Sequence, residues 1–322
     1  QSSKAFGGKP MRYRELHADW DGNVAELLAK AIDNRGLDSA MTKEDADRLR
    51  IALREWGALD QNFKYSKNYR SSRRRGFERA QGGGVLGEPI PSDPHAFKDI
   101  LDSGIWRTVA QHMNIDHQHA MFQPVGGMGM IGRGFAKQVE GKIRYNQKVT
   151  SISQQGGKVT VMHTDTGSGV TSTTEADYCV CTIPLSVLSQ IDVDCSPGLD
   201  AAIHAVPYSN SVKVGLEFKR RFWEEEEAIY GGISFTDREI SMISYPSGKL
   251  HSDGPAVILG AYTFGPASYK FAGMTPEERI QRALEQGSVF HPGRYKEEFI
   301  GGATVAWSRV PFTLGCCAQW NE

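Results

Sequence analysis

A chain of 322 residues with 39% hydrophobic content can bury a substantial core and suggests two or so domains. Its 37 basic and 38 acidic residues leave a net charge of −1, which removes any global electrostatic reason to expect nucleic acid or a membrane surface as partner. No apolar run reaches the roughly 20 residues that a bilayer span needs, and residues 1–10 hold no apolar core of the signal-peptide kind, so the expected compartment is the cytoplasm.

Residues 20–118 are predicted to be mainly helical. Over residues 24–32 apolar side chains recur at helical spacing, with Asp21 as the expected cap and Gly36 as the stop. A second helix is predicted from Thr42, a hydroxyl cap followed by the acidic Glu44 and Asp45, to Trp56 ahead of Gly57. The basic run Arg70, Arg73, Arg74, Arg75 and Arg79 reads as a solvated helix face or a subunit contact in a chain without net positive charge. Residues 81–94, with four glycines and three prolines, read as a loop.

From residue 142 the period changes to two. Residues 142–146, 149–152 and 158–162 alternate, with Gly156-Gly157 between the last two. Residues 178–183 read as a buried strand ending at Pro184, which would make Cys179 and Cys181 core thiols, and residues 185–191 suit a short helix. Strands are then predicted over 212–218, 233–235, 239–244 and 257–263. A helix over 276–286 is capped by Thr275 with Pro276 at its first position, and a strand over 304–307 follows. The fold class expected from this order is α/β with mixed α+β character, divided into a helical domain (1–118), a middle portion (119–206) and a β-rich domain (207–322).

Five cysteines are too few for a disulfide scaffold. Neither Cys179/Cys181 nor Cys316/Cys317 is joined by a second Cys or His pair at zinc spacing, so no metal site is expected. By sequence alone Cys316-Cys317 makes no case as a redox pair. Two segments match G-x-G-x-x-G. Gly82 to Gly87 has neither a strand before it nor a helix after it, and Gly127 to Gly132 precedes a helix-like stretch (135–139) but follows no buried strand, so neither reads as a pyrophosphate loop.

The run Phe122-Gln123-Pro124-Val125-Gly126-Gly127-Met128 nonetheless heads an ordered series. It is followed by Phe135-Ala136, Val149-Thr150-Ser151-Ile152, Ala176-Asp177-Tyr178, Thr182-Ile183-Pro184-Leu185, Ser211-Val212-Lys213-Val214, Arg221-Phe222-Trp223, Tyr245-Pro246-Ser247, Ala261-Tyr262, His291-Pro292 and Trp307 with Gly315. In order and spacing this series resembles the flavin-dependent amine oxidase family, and its later pieces resemble the L-amino-acid oxidase branch. One departure is Gly129, where the family has Asp after Gly-Gly-Met, which leaves open the cap or contact that this Asp makes.

The resemblance implies an FAD/NAD(P)-binding-like portion over 119–206 and a mixed-sheet substrate domain over 207–322, with the main dinucleotide loop and a C-terminal flavin segment outside the chain. It implies FAD as cofactor, with the Val149 backbone at the adenine and the turn of Thr182, Ile183 and Pro184 passing close by. Lys213 matches the lysine that holds a water near flavin N5. Tyr262 matches the tyrosine whose hydroxyl binds the substrate carboxylate, Trp307 a tryptophan walling the pocket, and His112 a mobile histidine, with His117 and His119 nearby. Arg12 is not matched to the carboxylate-binding arginine, which the family places upstream. The implied partners are an L-amino acid and dioxygen, in a homo-oligomer or with companion chains that supply the missing segments. Three readings stay open: an L-amino-acid oxidase, an L-amino-acid 2-monooxygenase of the same family, and a truncated non-catalytic fragment.

Overall fold

The computed structural model describes residues 3–80, 87–104, 106–111 and 123–319. The chain forms two compact units, one of residues 1–118, 217–260 and 283–300, the other of residues 119–216, 261–282 and 301–322.

In the first unit α1 (Tyr13–Asp33) begins well before the predicted start, and Asp21 is not its cap. Asp21 lies inside the helix, 3.3 Å from His17 Nδ1, and the capping position is Arg12. The polar first turns are helical because tertiary partners satisfy them. Asp19 is wholly buried and accepts hydrogen bonds from Arg75 Nε, the Tyr65 hydroxyl and the His95 amide. Leu16 packs with Ile100 in the same region. A Cβ on Gly22 would stand 2.2 Å from the Tyr65 ring, so only glycine permits that approach. The Gly36 amide then binds the Ala31 carbonyl at 2.7 Å, as its role as a stop requires.

α2 (Lys43–Trp56) has the predicted Thr42 cap, whose hydroxyl accepts from the Asp45 amide, and ends at Gly57. α1 and α2 enclose Ala25, Ala29, Leu53 and Leu59. α3 (Tyr69–Arg75) carries the basic run except Arg79 and is opened by a reciprocal cap between Asn68 and Ser71. Arg73 and Arg74 are exposed as expected, but Arg75 is buried against Asp19, so this position belongs to the core and not to a solvated face. β2 (Ile90–Pro91), inside the predicted loop, pairs antiparallel with β1 (Phe77–Arg79) just before it, while residues 81–86 lie outside the described residues. α4 (Phe97–Ser103) and α5 (Trp106–Gln111) bring Phe97 and Trp106 to Trp20.

α6 (Gly129–Gln138) starts inside the second glycine cluster. Its capping residue Met128 makes no side-chain cap, which answers the question raised by Gly129: no side chain caps this helix. Residues 142–146 are not a strand. Asn146 takes φ +61°, a left-handed conformation that interrupts the extended run, and β3 (Gln147–Gln155) begins after it. β3 and β4 (Lys158–Asp165) form a hairpin whose two turn glycines have φ of +61° and +78°, the backbone that a tight hairpin requires. β5 (Thr171–Ala176) continues the sheet. Residues 178–183 overturn their prediction: they form no strand, Tyr178 and Val180 are 91% and 89% exposed, and Cys179 and Cys181 are exposed free thiols. Among the described residues no strand lies beside them, and an apolar strand is buried only by neighbours.

α7 (Leu185–Leu188) is shorter than predicted, and β6 (Asp192–Val193) pairs parallel to β3, giving the order β5-β4-β3-β6. α8 (Pro197–Ala205) was not predicted, although Ser196 as cap and Pro197 in the first turn mark it. Then come β7 (Tyr208–Ser209), β8 (Ser211–Phe218), α9 (Phe222–Glu225), β9 (Gly232–Phe235) and β10 (Met242–Tyr245). β10 is shorter than the predicted 239–244 because Ser241 sits at φ +57°. β11 (Ala256–Phe264) leads directly into α10 (Gly265–Gly273), also unpredicted. α11 (Pro276–Gly287) has the Thr275 cap, reciprocated by Glu278. α12 (Arg294–Glu297), β12 (Phe299–Ala306) and β13 (Cys317–Ala318) complete the chain, with Trp307 in a 3-10 turn and not in the strand. The larger sheet has the order β12-β8-β11-β10-β9. Among the described residues no helix is long and apolar enough to cross a membrane.

Candidate functional site

In the second unit β8 alternates as its sequence demands: Val212 and Val214 are fully buried, and Lys213 between them is half-buried on the opposite face. The Thr304 hydroxyl donates to the Lys213 carbonyl at 2.9 Å, fixing the backbone that carries the amine. On β11, Ala261 and Thr263 are fully buried and Tyr262 faces the other way. The Lys213 ammonium stands 4.7 Å from the centroid of the Tyr262 ring, a cation–π contact. Tyr262 also meets Phe264, with ring centroids 4.7 Å apart. Burial pushes the Tyr262 phenol above its ordinary pKa, and the nearby Cys316 and Cys317 thiols add to the rise, so the hydroxyl is a hydrogen-bond donor at neutral pH.

A cavity of about 860 Å³ lies in the same unit. Val149, Ile183 and Pro184 line it, together with Lys148, Arg309 and Phe312. Thr182 is exposed beside this group but is not part of the lining, and neither is Trp307. Trp307 is half-buried, and its carbonyl accepts from the amides of Val310 and Gly315, closing the loop that carries Arg309 and Phe312. Ser186 on α7 ties this loop down through the Thr313 carbonyl at 2.7 Å. His112, His117 and His119 lie outside the described residues.

The structure thus brings six of the eight predicted site residues into two groups or their immediate neighbours in the chain: Lys213 with Tyr262, and Val149 with Thr182, Ile183 and Pro184. Sequence reasoning missed Arg309, and it named the Cys316/Cys317 pair only to set it aside. Arg309 carries a weak signal, a cation two residues after the tryptophan that was singled out, and the thiols carried none beyond adjacency. The cavity suits part of a dinucleotide: it is large, its β3 edge offers backbone groups to a base, and Lys148 and Arg309 offer two cations to a phosphate-bearing ligand. In the glycine cluster at the start of α6 the Gly127 amide closes a turn on the Pro124 carbonyl at 3.0 Å, and residues 112–122 before it lie outside the described residues.

The first unit holds its own cavity of about 640 Å³, lined by Arg12, Arg14, Glu227, Tyr245 and His291 among others. There His291 is buried between the Glu227 carboxylate, 2.8 Å from Nδ1, and the Tyr245 hydroxyl, 2.8 Å from Nε2. Burial holds the Tyr245 phenol well above its ordinary pKa.

The L-amino-acid oxidase of Vipera ammodytes ammodytes is 31% identical over 234 residues, covering 69% of this chain and 48% of its own. The flavin-dependent L-tryptophan oxidase RebO of Lentzea aerocolonigenes is 31% identical over 203 residues, covering 61% of this chain and 42% of its own. A solved structure of a putrescine oxidase redesigned for cofactor binding shares the fold, with a TM-score of 0.51 at 17% identity over 61% of this chain and 42% of that one. The chain spans less than half the length of these relatives. Residues 4–322 match the family model described as flavin containing amine oxidoreductase, and the chain belongs to that family.

Proposed function

We propose that the protein to which this chain belongs carries out the oxidative deamination of L-amino acids to a 2-oxo acid, ammonia and hydrogen peroxide. The observation that carries this reading is the juxtaposition of Lys213 with Tyr262 at 4.7 Å, on adjacent strands of one sheet. Relatives named as L-amino-acid oxidases, about 30% identical to the chain, favour an amino acid over a simple amine as substrate.

FAD, the cofactor of the family, supplies the acceptor for a hydride from the substrate Cα. The residues of this chain bind and orient. The Tyr262 hydroxyl, kept protonated by burial, donates to the substrate carboxylate. Lys213 holds a water in place and keeps its own position through the β8 backbone. By resemblance to the family, Trp307 is assigned to the substrate pocket, His112, which lies outside the described residues, to the substrate, and Val149, Thr182, Ile183 and Pro184 to the cofactor. The overall reaction balances as amino acid, dioxygen and water giving 2-oxo acid, ammonia and peroxide. We also propose the division into helical (1–118), cofactor (119–206) and substrate (207–322) portions. Completion by further segments or companion chains, a homo-oligomeric assembly and a cytoplasmic location belong to the same reading.

The test is flavin absorbance of the purified protein, with any co-purifying polypeptide, followed by assays for peroxide and 2-oxo acid. Tyr262→Phe is expected to raise KM for amino acids about 10- to 100-fold, through loss of one hydrogen bond to a charged group. Lys213→Met is expected to slow turnover about 100-fold with little change in KM. Colourless protein in every preparation, or an amide and carbon dioxide as products, would overturn the reading.

A further inference from the structure

We propose that Cys316 and Cys317 form a peroxide-oxidisable dithiol that closes to a disulfide between neighbouring residues. The two sulfurs are 3.4 Å apart. Adjacent residues of an extended strand point to opposite faces, so this proximity is not a consequence of adjacency alone. The fold creates it. Cys317 enters β13 opposite Ser209, whereas Cys316 precedes the strand, its amide bound to the Ser209 carbonyl at 2.8 Å. Gly315, at φ +154°, turns the chain just before, in a space where a Cβ would stand 2.8 Å from the Tyr208 side chain. Both thiols therefore emerge on one side.

The two differ in a way that divides the chemistry. Cys317 accepts a hydrogen bond from the Gln319 side-chain Nε2 at 3.7 Å and is exposed, which makes it the sulfur that a solute meets first. Cys316 is half-buried, and burial pushes its thiol pKa up. Cys317, as thiolate, attacks one oxygen of hydrogen peroxide. The O–O bond breaks, the sulfur becomes a sulfenic acid and the other oxygen leaves as water after taking a proton. The Cys316 sulfur then attacks that sulfenic sulfur, the S–O bond breaks, and the proton lost by Cys316 leaves with the oxygen as a second water. Two thiols are oxidised by two electrons and one peroxide is reduced to two waters.

Adjacent Cα atoms are about 3.8 Å apart across a trans peptide, below the roughly 4.4–6.8 Å usual for disulfides, so the bond is strained and easily reduced. Reversible closure follows. The site adjoins Tyr262, whose phenol feels both thiols, so closure alters the surroundings of a residue assigned to substrate. The proposal does not rest on the proposed activity, because peroxide can be added.

The reduced protein is treated with hydrogen peroxide and digested. The peptide containing both residues is expected to lose two hydrogens in mass, with the free-thiol count falling from five to three, and dithiothreitol is expected to restore both. Replacing Cys179 and Cys181 by Ser should leave that mass change intact. Cys316→Ser should abolish it and let a dimedone probe trap a sulfenic acid on Cys317. The proposal fails if the wild-type peptide stays reduced while other thiols are consumed. It also fails if that peptide gains oxygen instead of losing hydrogen, or if it links to a second chain on a non-reducing gel. The wild-type measurement decides the matter even if a variant does not fold.

Discussion

Two runs of similar length that both read as strands behave in opposite ways. Residues 178–183 and residues 212–218 both read as strands, yet the first is exposed and irregular while the second is β8, with Val212, Val214, Leu216 and Phe218 fully buried. Apolar content alone would favour burying the first, which holds no charged residue; the neighbours decide otherwise. β8 is flanked by β12 on one side and β11 on the other, whereas among the described residues no strand pairs with 178–183. Burial is thus a property of the sheet that receives a segment, and apolar composition records only that the segment can accept such a place.

The largest effect should come from the packed run. Phe218 meets Phe222, Trp223, Tyr295 and Phe299, so Phe218→Ala is expected to cost about 3–5 kcal/mol in urea denaturation. A loss below about 1 kcal/mol would break the contrast, since that is the size of an ordinary peripheral substitution.

A smaller effect is expected just beyond β8, where the nearly buried Glu224 accepts hydrogen bonds from Arg221 and from the His251 amide. The Arg221 hydrogen bond, above all, holds the Glu224 carboxyl below its ordinary pKa. A depressed folded-state pKa stabilises above the unfolded value of about 4.3 and loses that contribution as pH falls through the folded value. Glu224→Gln is therefore expected to cost about 1–3 kcal/mol at neutral pH, with the gap to the parent protein closing in acid. A gap that is constant from pH 7 to pH 3 would contradict this assignment.

The smallest effect belongs to the exposed run. Tyr178→Ser is expected to change stability by no more than about 0.5 kcal/mol, and Cys179 and Cys181 should react with iodoacetamide in the folded protein as fast as a free thiol. Protection of either thiol would show that another surface covers residues 178–183 in solution and would sharpen the comparison into a search for that surface.

Much of the secondary structure was legible where the sequence encodes its own boundary. Thr42 and Thr275 cap the predicted helices because a hydroxyl there satisfies a first-turn amide with no help from the rest of the fold. Gly156-Gly157 marks a hairpin because its backbone conformation favours glycine. Asp21 misled because α1 is extended by a carboxylate at position 19 whose partners, Tyr65, Arg75 and His95, lie far along the chain. At the candidate site the alternation of β8 gave the direction of Lys213. Its contact with Tyr262 could not be read, since strand order is not local information.

The sequence by itself determined the family, through an ordered series of short matches, together with the helix caps, hairpin turns and strand periodicities set by interactions within a few residues. Only the tertiary structure decided which apolar runs are buried, that Arg75 belongs to the core, that Lys213 lies over Tyr262, and that two adjacent thiols face one another. Each of these depends on contacts between segments distant in sequence, whose energies no local pattern encodes.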